Sequence, residues 1–159
     1  MSPLPSNPLP PALSGRSRCG AVMKTEVVCT NPGDSVQTAA ESMRRFHVGF
    51  LPVCGPGDVP MGTITDRDIT LRVVAADKLP TTPVLEVMTR DCIVVRQDAE
   101  LTAAEDLMVS HQIARVMVVD DDGRLVGVIS LSDIPAHETA RITGAVFARV
   151  AEREARPQP

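Results

Sequence analysis

The chain has 159 residues, of which 43% are hydrophobic and only 2% aromatic, all of them phenylalanine. This length predicts one domain or two very small ones, with a core of aliphatic side chains and methionine that suits thin α/β layers. The formal net charge of −4 provides no basic field for a polyanion, so a general role in nucleic-acid binding is not expected.

The first eighteen residues, MSPLPSNPLPPALSGRSR, are rich in proline. Because proline fixes φ and removes a backbone donor, residues 1–18 are expected to form a disordered or extended arm. The arm lacks the apolar segment of a signal peptide, and no stretch of the chain approaches the roughly 20 apolar residues of a membrane span. We therefore expect a soluble, cytoplasmic protein without a membrane partner.

The rest of the chain contains an internal repeat with a period of 65 residues. VMKTEVVCT at 22–30 matches VMTRDCIVV at 87–95, and GTITDRDI at 62–69 matches GVISLSDI at 127–134. Chance rarely keeps such identities in register without a gap. The sequence therefore indicates a duplication.

Each repeat predicts the element order β-α-β-β-α. The predicted strands are Val27–Thr30, Phe50–Val53 and Met61–Thr65, then Cys92–Val95, Arg115–Val119 and Leu125–Ser130. Apolar residues at helical spacing follow each first strand, and Asp34 or Ser35 can cap the first of these helices. One such unit buries little surface alone. The expected fold class is α/β (α+β), with two tandem units packed sheet to sheet in pseudo-two-fold symmetry.

The domain division follows from the repeat. It comprises the arm at 1–18, a first unit at 19–75, a linker with two prolines at 76–86, a second unit at 87–137, and a C-terminal helix and tail at 138–159. The tail helix is predicted from an apolar stripe, namely Ile142, Val146, Phe147 and Val150. Such a helix closes its own module or packs in a dimer.

Each of the matching segments GTITDRDI and GVISLSDI contains a hydroxyl residue three positions before an aspartate: Thr65 with Asp68, and Ser130 with Asp133. At a helix start these residues are ordinary caps, worth about 1 kcal/mol each. A carboxylate there can also accept hydrogen bonds from both hydroxyls of a ribose, while the unpaired first N–H groups of the helix suit phosphate. Both interpretations remain open.

The duplicated unit, the VGFLPV segment and the two G-x-I-[ST] phrases resemble a tandem pair of CBS domains, a Bateman module, over about residues 20–137. The whole chain is similar to small stand-alone bacterial proteins of this family. The resemblance implies clefts between the units that bind AMP, ADP, ATP, S-adenosylmethionine or a related ligand as a regulator rather than as a cofactor. It also implies a homodimer.

The resemblance carries further site residues over by position. The base pocket would be lined by the second strands, and the ribose and phosphates would be met by residues near the helix ends. These residues are Gly49, Phe50, Leu51, Pro52, Ala114, Arg115, Val116 and Met117 for the base, Asp34 and Ala99 for the ribose, and His47 for a phosphate. The repeated phrase itself adds the hydroxyl of Ser132, and Arg67, which could pair with phosphate or simply with Asp34 or Asp66. The second repeat has Gln112 where a basic residue is common. Tight triphosphate binding is therefore disfavoured unless Arg115 substitutes.

The four cysteines show no CxxC spacing and no zinc motif, and no metal site is expected. Cys29 and Cys54 end two strands that run parallel in a β-α-β crossover, so they could come within disulfide reach. The alternative is a pair of small buried thiols that act as hydrophobes.

Three functions follow from these observations. The leading one is a regulatory ligand-sensing module that signals through its dimer or an unknown partner protein. An enzyme is disfavoured, because the chain has no phosphate-loop motif, nucleophile elbow or paired metal ligands. The third is a ligand-free structural or redox-responsive interaction protein that uses Cys29 and Cys54.

Overall fold

The computed structural model describes residues 17–134 together with positions 144 and 148. In chain order the elements are α1 (Cys19–Val22), α2 (Val36–Phe46), β1 (Phe50–Cys54), β2 (Pro60–Thr65), α3 (Asp66–Ile69) with a π-helical continuation (Thr70–Val74), α4 (Val84–Val87), β3 (Val94–Arg96), α5 (Leu101–His111), β4 (Arg115–Val119) and β5 (Leu125–Ser130). Short 3₁₀ turns cover Pro56–Asp58 and Leu131–Asp133. The apolar stripe of the predicted tail helix lies outside the described residues. The fold is mixed α and β with two small sheets, as the sequence predicts.

The two sheets repeat the same pairing pattern. β1 and β2 are antiparallel with Phe50 opposite Thr65, and β4 and β5 are antiparallel with Arg115 opposite Ser130. Both ladders shift register at the fourth residue of the first strand. The helices before these strands also end alike, on left-handed residues at positions 47 and 112. The two repeats therefore match down to the pairing of individual residues.

The predicted strand at Val27–Thr30 is wrong in extent. In this stretch only Thr30 pairs with a strand, through a parallel bridge to Val53, whereas the second repeat has the strand β3 at the matching place. The carboxylate of Asp34 accepts hydrogen bonds from the Thr30 hydroxyl at 2.9 Å and from the Asn31 amide at 2.8 Å. These local bonds turn the chain towards α2 directly after Thr30. Before Thr30, the Val27 amide donates to the Thr25 carbonyl at 3.0 Å and not to a neighbouring strand. Ser35, one of the two predicted caps, accepts the Thr38 amide at the start of α2.

Each repeat contains one hydrophobic core. Each core also takes side chains from the segment that precedes the other repeat. The first core combines α2, β1 and β2 with Val84, Val87 and Met88. The second combines β3, α5, β4 and β5 with Cys19, against which Val22 and Met23 also pack. The packing units are therefore not continuous in sequence, a feature that the linear division into 19–75 and 87–137 does not contain.

Backbone hydrogen bonds fix this exchange of segments. Lys24 forms an antiparallel bridge to Val128 with two bonds of 3.0 Å, and Thr89 forms the matching bridge to Thr63 with bonds of 2.9 and 2.8 Å. Ser17 and Arg18, at the end of the predicted arm, also pair: the Ser17 carbonyl accepts the Leu101 amide at 2.8 Å. The last two residues of the arm are thus part of the ordered second unit.

The first glycine of each repeated phrase allows the exchanged segment to approach. A Cβ on Gly62 would overlap the carbonyl oxygen of Thr89, and a Cβ on Gly127 would meet the Met23 side chain at 2.5 Å and the Lys24 carbonyl at 3.0 Å. A residue with a side chain would push the paired backbone away. The glycines are therefore required by the crossing of the two segments.

We expect Gly62→Ala to lower the free energy of unfolding by about 1–3 kcal/mol, because the obstructing atom belongs to the backbone and cannot rotate away. Urea unfolding measures this change. Gly33→Ala is the matched control, since nothing lies within 4 Å of its added Cβ, and it should stay within about 0.5 kcal/mol of wild type. Equal midpoints for the two variants would contradict the role assigned to Gly62.

Candidate functional site

The repeated hydroxyl and aspartate form a capping box in both repeats. The Asp68 Oδ2 atom accepts the Thr65 amide at 2.9 Å and the Thr65 hydroxyl at 2.8 Å, and the Asp68 amide donates to the same hydroxyl at 3.1 Å. In the second repeat, Asp133 Oδ2 accepts the Ser130 amide at 2.9 Å and its hydroxyl at 2.6 Å. The capping interpretation is therefore confirmed, and each carboxylate is held in one orientation.

The other oxygen of each carboxylate faces a cation. Arg72 lies 3.2 Å from Asp68 Oδ1, and Lys24 lies 2.8 Å from Asp133 Oδ1. The carboxylate side chains are only 14% and 11% exposed, so both pairs are partly shielded from water. Arg72 belongs to the π-helical turn after Asp68, whereas Lys24 belongs to the segment that crosses to the second unit. The two matching carboxylates are thus neutralised from different parts of the chain.

These contacts set the acidity of Asp133. Burial alone raises its pKa, but the Lys24 ammonium and the two Ser130 hydrogen bonds outweigh burial and hold the pKa below its ordinary value. The carboxylate is therefore charged at neutral pH. A charged, oriented acceptor is the form that can bind neutral hydroxyl groups.

A cleft of about 740 Å³ lies between the two repeats, beside Asp68. Its first wall comes from β1, β2 and the helix after β2, its second from the end of α5 and the start of β4, and the exchanged segment supplies the remainder. The predicted site residues that line it are Gly49, Phe50, Thr65, Arg67, Asp68, Ala114, Arg115 and Met117. The structure thus brings residues of both repeats to one cleft.

The remaining predicted site residues lie outside the lining of this cleft. Leu51 and Val116 are 0% and 1% exposed and belong to the two cores. Asp34 is engaged with Thr30 and Asn31 in the turn before α2, and the Ala99 carbonyl accepts the Cys19 amide at 2.9 Å. Pro52 is buried within β1, and His47 is the left-handed residue that ends α2.

The second predicted anchor lies at the pseudo-equivalent place in the other repeat. Ser130, Ser132 and Asp133 form one hydrogen-bonded group, with 2.7 Å between the two serine hydroxyl oxygens. Lys24 completes the group through its pair with Asp133. This arrangement resembles the Thr65–Asp68 anchor, but its cation, Lys24, belongs to the segment that follows α1.

Charged side chains of both signs line the 740 Å³ cleft. Arg67, Arg72 and Arg115 line it, together with Asp66, Asp68, Asp91 and His111. The Arg115 guanidinium also lies 5.8 Å from the centre of the Phe50 ring, a cation–π contact between the two repeats. Arg115 therefore points into the cleft, in the direction that sequence reasoning left open.

Sequence reasoning missed several lining residues. Arg72 stands one helical turn after Asp68, and this i,i+4 spacing is a signal that could have found it. Thr89, Asp91 and Ile93 also line the cleft, but they come from the exchanged segment. No local pattern shows that this segment returns to the first repeat.

Two further expectations concern metals and membranes. Within residues 17–134, no group of three or more His, Cys, Asp or Glu side chains is arranged to hold a metal ion. In the same part of the chain, none of the helices has the length and apolar character needed to cross a bilayer.

We expect Asp133→Asn to lower the free energy of unfolding by about 1 kcal/mol at neutral pH, because it weakens the cap and removes the Lys24 pair. The pKa of Asp133 is lowered by folding, so its charge stabilises the protein above the unfolded pKa of about 3.9. This stabilisation is lost as the pH falls through the lower, folded pKa. Urea unfolding at neutral and acidic pH should therefore show the difference between wild type and variant shrinking in acid.

The control for that experiment is Asp122→Asn, which neutralises a carboxylate in the exposed turn before β5. It should change stability little at either pH. A difference between wild type and Asp133→Asn that stays constant down to pH 2 would contradict the ionic contribution.

Comparison with known proteins identifies the fold. A model of the CBS domain matches residues 19–75 and 84–135. The CBS domain-containing protein YhcV of Bacillus subtilis is 38% identical over 116 residues, which span 73% of this chain and 81% of YhcV. Hypoxic response protein 1 of Mycobacterium tuberculosis is 35% identical over 117 residues, with the same shares of the two chains.

Solved structures agree with this result. The crystal structure of Hypoxic Response Protein I with two coordinated zinc ions aligns with a TM-score of 0.69 at 32% identity, over 76% of this chain and 98% of that one. The CBS domain pair of protein MJ0100, in complex with 5-methylthioadenosine and S-adenosyl-L-methionine, aligns with a TM-score of 0.66 at 25% identity, over 74% and 96% of the two chains. The chain therefore belongs to the CBS domain family and contains a tandem pair of these domains.

Proposed function

We propose that the protein is a regulatory module that binds an adenine nucleotide or a related adenosyl ligand in the 740 Å³ cleft. The observation that carries this proposal is the Asp68 carboxylate, which the capping box holds against the cleft wall while three arginines line the same cleft. A ribose needs a hydroxyl acceptor, and phosphates need cations. The cleft supplies both within one space of suitable size.

The ribose would bind through Asp68. Because the Thr65 amide and hydroxyl both donate to Oδ2, a ribose hydroxyl would donate to Oδ1. Arg72 already lies 3.2 Å from Oδ1 and also donates to the Val87 carbonyl at 2.7 Å. Arg72 would hold the side chain of Asp68 in place while the sugar binds beside it.

The phosphates would bind near Arg67 and Arg115, whose side chains are exposed in the cleft. Both guanidinium groups present paired N–H donors that match a phosphate. The expected weakness towards polyphosphates, based on Gln112, is offset by these arginines. They favour AMP, ADP or ATP, whereas the likeness to the MJ0100 pair supports S-adenosylmethionine or 5-methylthioadenosine.

The signal would pass through the helix that follows Asp68. Leu71 lines the cleft and is 51% exposed, and Val74, at the end of the π-helical turn, is 72% exposed. A homodimer or a partner protein that covers these apolar side chains would sense a ligand held at Asp68. The ligand can shift this association only by as much as its affinity differs between the two states.

A thermal-shift titration with AMP, ADP, ATP, S-adenosylmethionine and NAD tests the proposal. A ligand at 100 times its dissociation constant should stabilise the wild-type protein by about 2.7 kcal/mol. Asp68→Asn should weaken the ribose contact by about 1.5–3 kcal/mol, or roughly tenfold to more than hundredfold in affinity. Failure of all five ligands to raise the melting temperature would contradict the proposal.

Two further variants locate the ligand. Asp133→Asn leaves the 740 Å³ cleft intact, so it should retain the shift; loss of the shift in this variant alone would place the ligand at the second anchor. Arg67→Ala should weaken phosphate-bearing ligands more than S-adenosylmethionine, whereas Arg44→Ala, on the exposed face of α2 and outside the cleft lining, should change neither.

A further inference from the structure

Cys29 and Cys54 lie near each other, where the segment before α2 pairs with the end of β1. Thr30 pairs in parallel with Val53: the Thr30 amide donates to the Pro52 carbonyl at 3.0 Å, and the Cys54 amide donates to the Thr30 carbonyl at 3.0 Å. Thr30 and Val53 are 4% and 0% exposed. Because neighbouring residues in an extended chain project to opposite faces, Cys29 and Cys54 both project away from that buried face.

The two thiols are neighbours but are not bridged. Each side chain shifts the pKa of the other, and both cysteines are free. The pairing of Thr30 with Val53 brings the two predicted strand ends together, and the disulfide stays a prediction.

The environments of the two thiols differ in a way that assigns each a separate part. Cys29 is exposed, whereas Cys54 is only 3% exposed. The interaction between the two side chains lowers the pKa of Cys29 and raises the pKa of Cys54, although burial and the charge of Asp58 work against the lowering at Cys29. Cys29 is thus the thiol that a reagent in solution reaches first and that ionises more readily.

We propose that Cys29 and Cys54 form a reversible dithiol–disulfide site that reacts with a small-molecule disulfide of the glutathione type. The Cys29 thiolate attacks one sulfur of the reagent, forms a mixed disulfide and releases one thiolate, which takes a proton from water. Cys54 then loses its proton, attacks the Cys29 sulfur and releases the second thiolate. The protein loses two electrons and two protons, and the reagent becomes two thiols.

The bridge would join the chain just before the turn into α2 to the end of β1. β1 begins at Phe50, which lines the 740 Å³ cleft, so the disulfide would tie one wall of that cleft to the segment that precedes α2. This property does not depend on the proposed ligand, because neither cysteine lines the cleft. Oxidation and ligand binding can therefore be tested separately.

The test uses the full-length reduced protein, incubated with oxidised glutathione, alkylated and analysed by intact-mass and peptide mass spectrometry. Wild type should lose two of its four alkylatable thiols and give one linked peptide pair containing Cys29 and Cys54, and dithiothreitol should restore all four thiols. Cys54→Ser should accumulate one glutathione on Cys29. Cys29→Ser should give neither the bridge nor an adduct at the buried Cys54.

Cys92 is the competing disulfide partner for Cys54, because a charge on the Cys92 thiol would raise the pKa of Cys54. Cys92→Ser is therefore the matched control and should form the Cys29–Cys54 bridge as wild type does. Four alkylatable thiols after oxidation, a bridge to Cys92, or only intermolecular disulfides would each overturn the proposal. The melting temperature of the oxidised wild-type protein should exceed that of the reduced protein, and a lower value would show a strained bridge and contradict a built site.

Discussion

The structure depends on the reciprocal exchange of two short segments between the repeats. Lys24 lies against Val128, Thr89 lies against Thr63, and each contact needs a glycine as its neighbour because the two backbones approach closely. Each repeat alone is a small sheet with one long helix, which leaves its core incomplete. The exchanged segments supply the missing apolar side chains, so neither hydrophobic core is complete without residues that precede the other repeat.

The same exchange builds the candidate site. Thr89 and Asp91 reach the 740 Å³ cleft because their segment pairs with β2, and Lys24 reaches Asp133 because its segment pairs with β5. The repeated aspartate therefore has two compatible tasks. One carboxylate oxygen closes the capping box that starts a helical turn, and the other is available to a cation or a ligand. Stability and recognition share one side chain without competing for the same oxygen atom.

Much of this architecture could be predicted from the sequence. The repeat and the hydrophobic spacing predict α2, α5 and the strand pairs correctly, with Arg115–Val119 and Leu125–Ser130 matching to the residue, because these elements rest on local periodicity. The strand at Val27–Thr30 was wrong in extent because the Val27 amide donates within its own segment and the chain turns at Asp34 directly after Thr30, and strand propensity does not weigh such local hydrogen bonds. The segment exchange was missed because it joins residues that are far apart in sequence. Local periodicity in a single sequence does not show such contacts.

The different origins of the two cations have a consequence for how the protein folds. Arg72 reaches Asp68 across one helical turn, so this anchor can form from local contacts as soon as its helix does. Lys24 and Asp133 lie near opposite ends of the described chain, and their ion pair requires the closure of a loop that contains most of the molecule. Two sites that descend from one duplicated unit therefore differ in contact order: the first anchor is complete when its own repeat has folded, and the second is complete only after Lys24 has met Asp133.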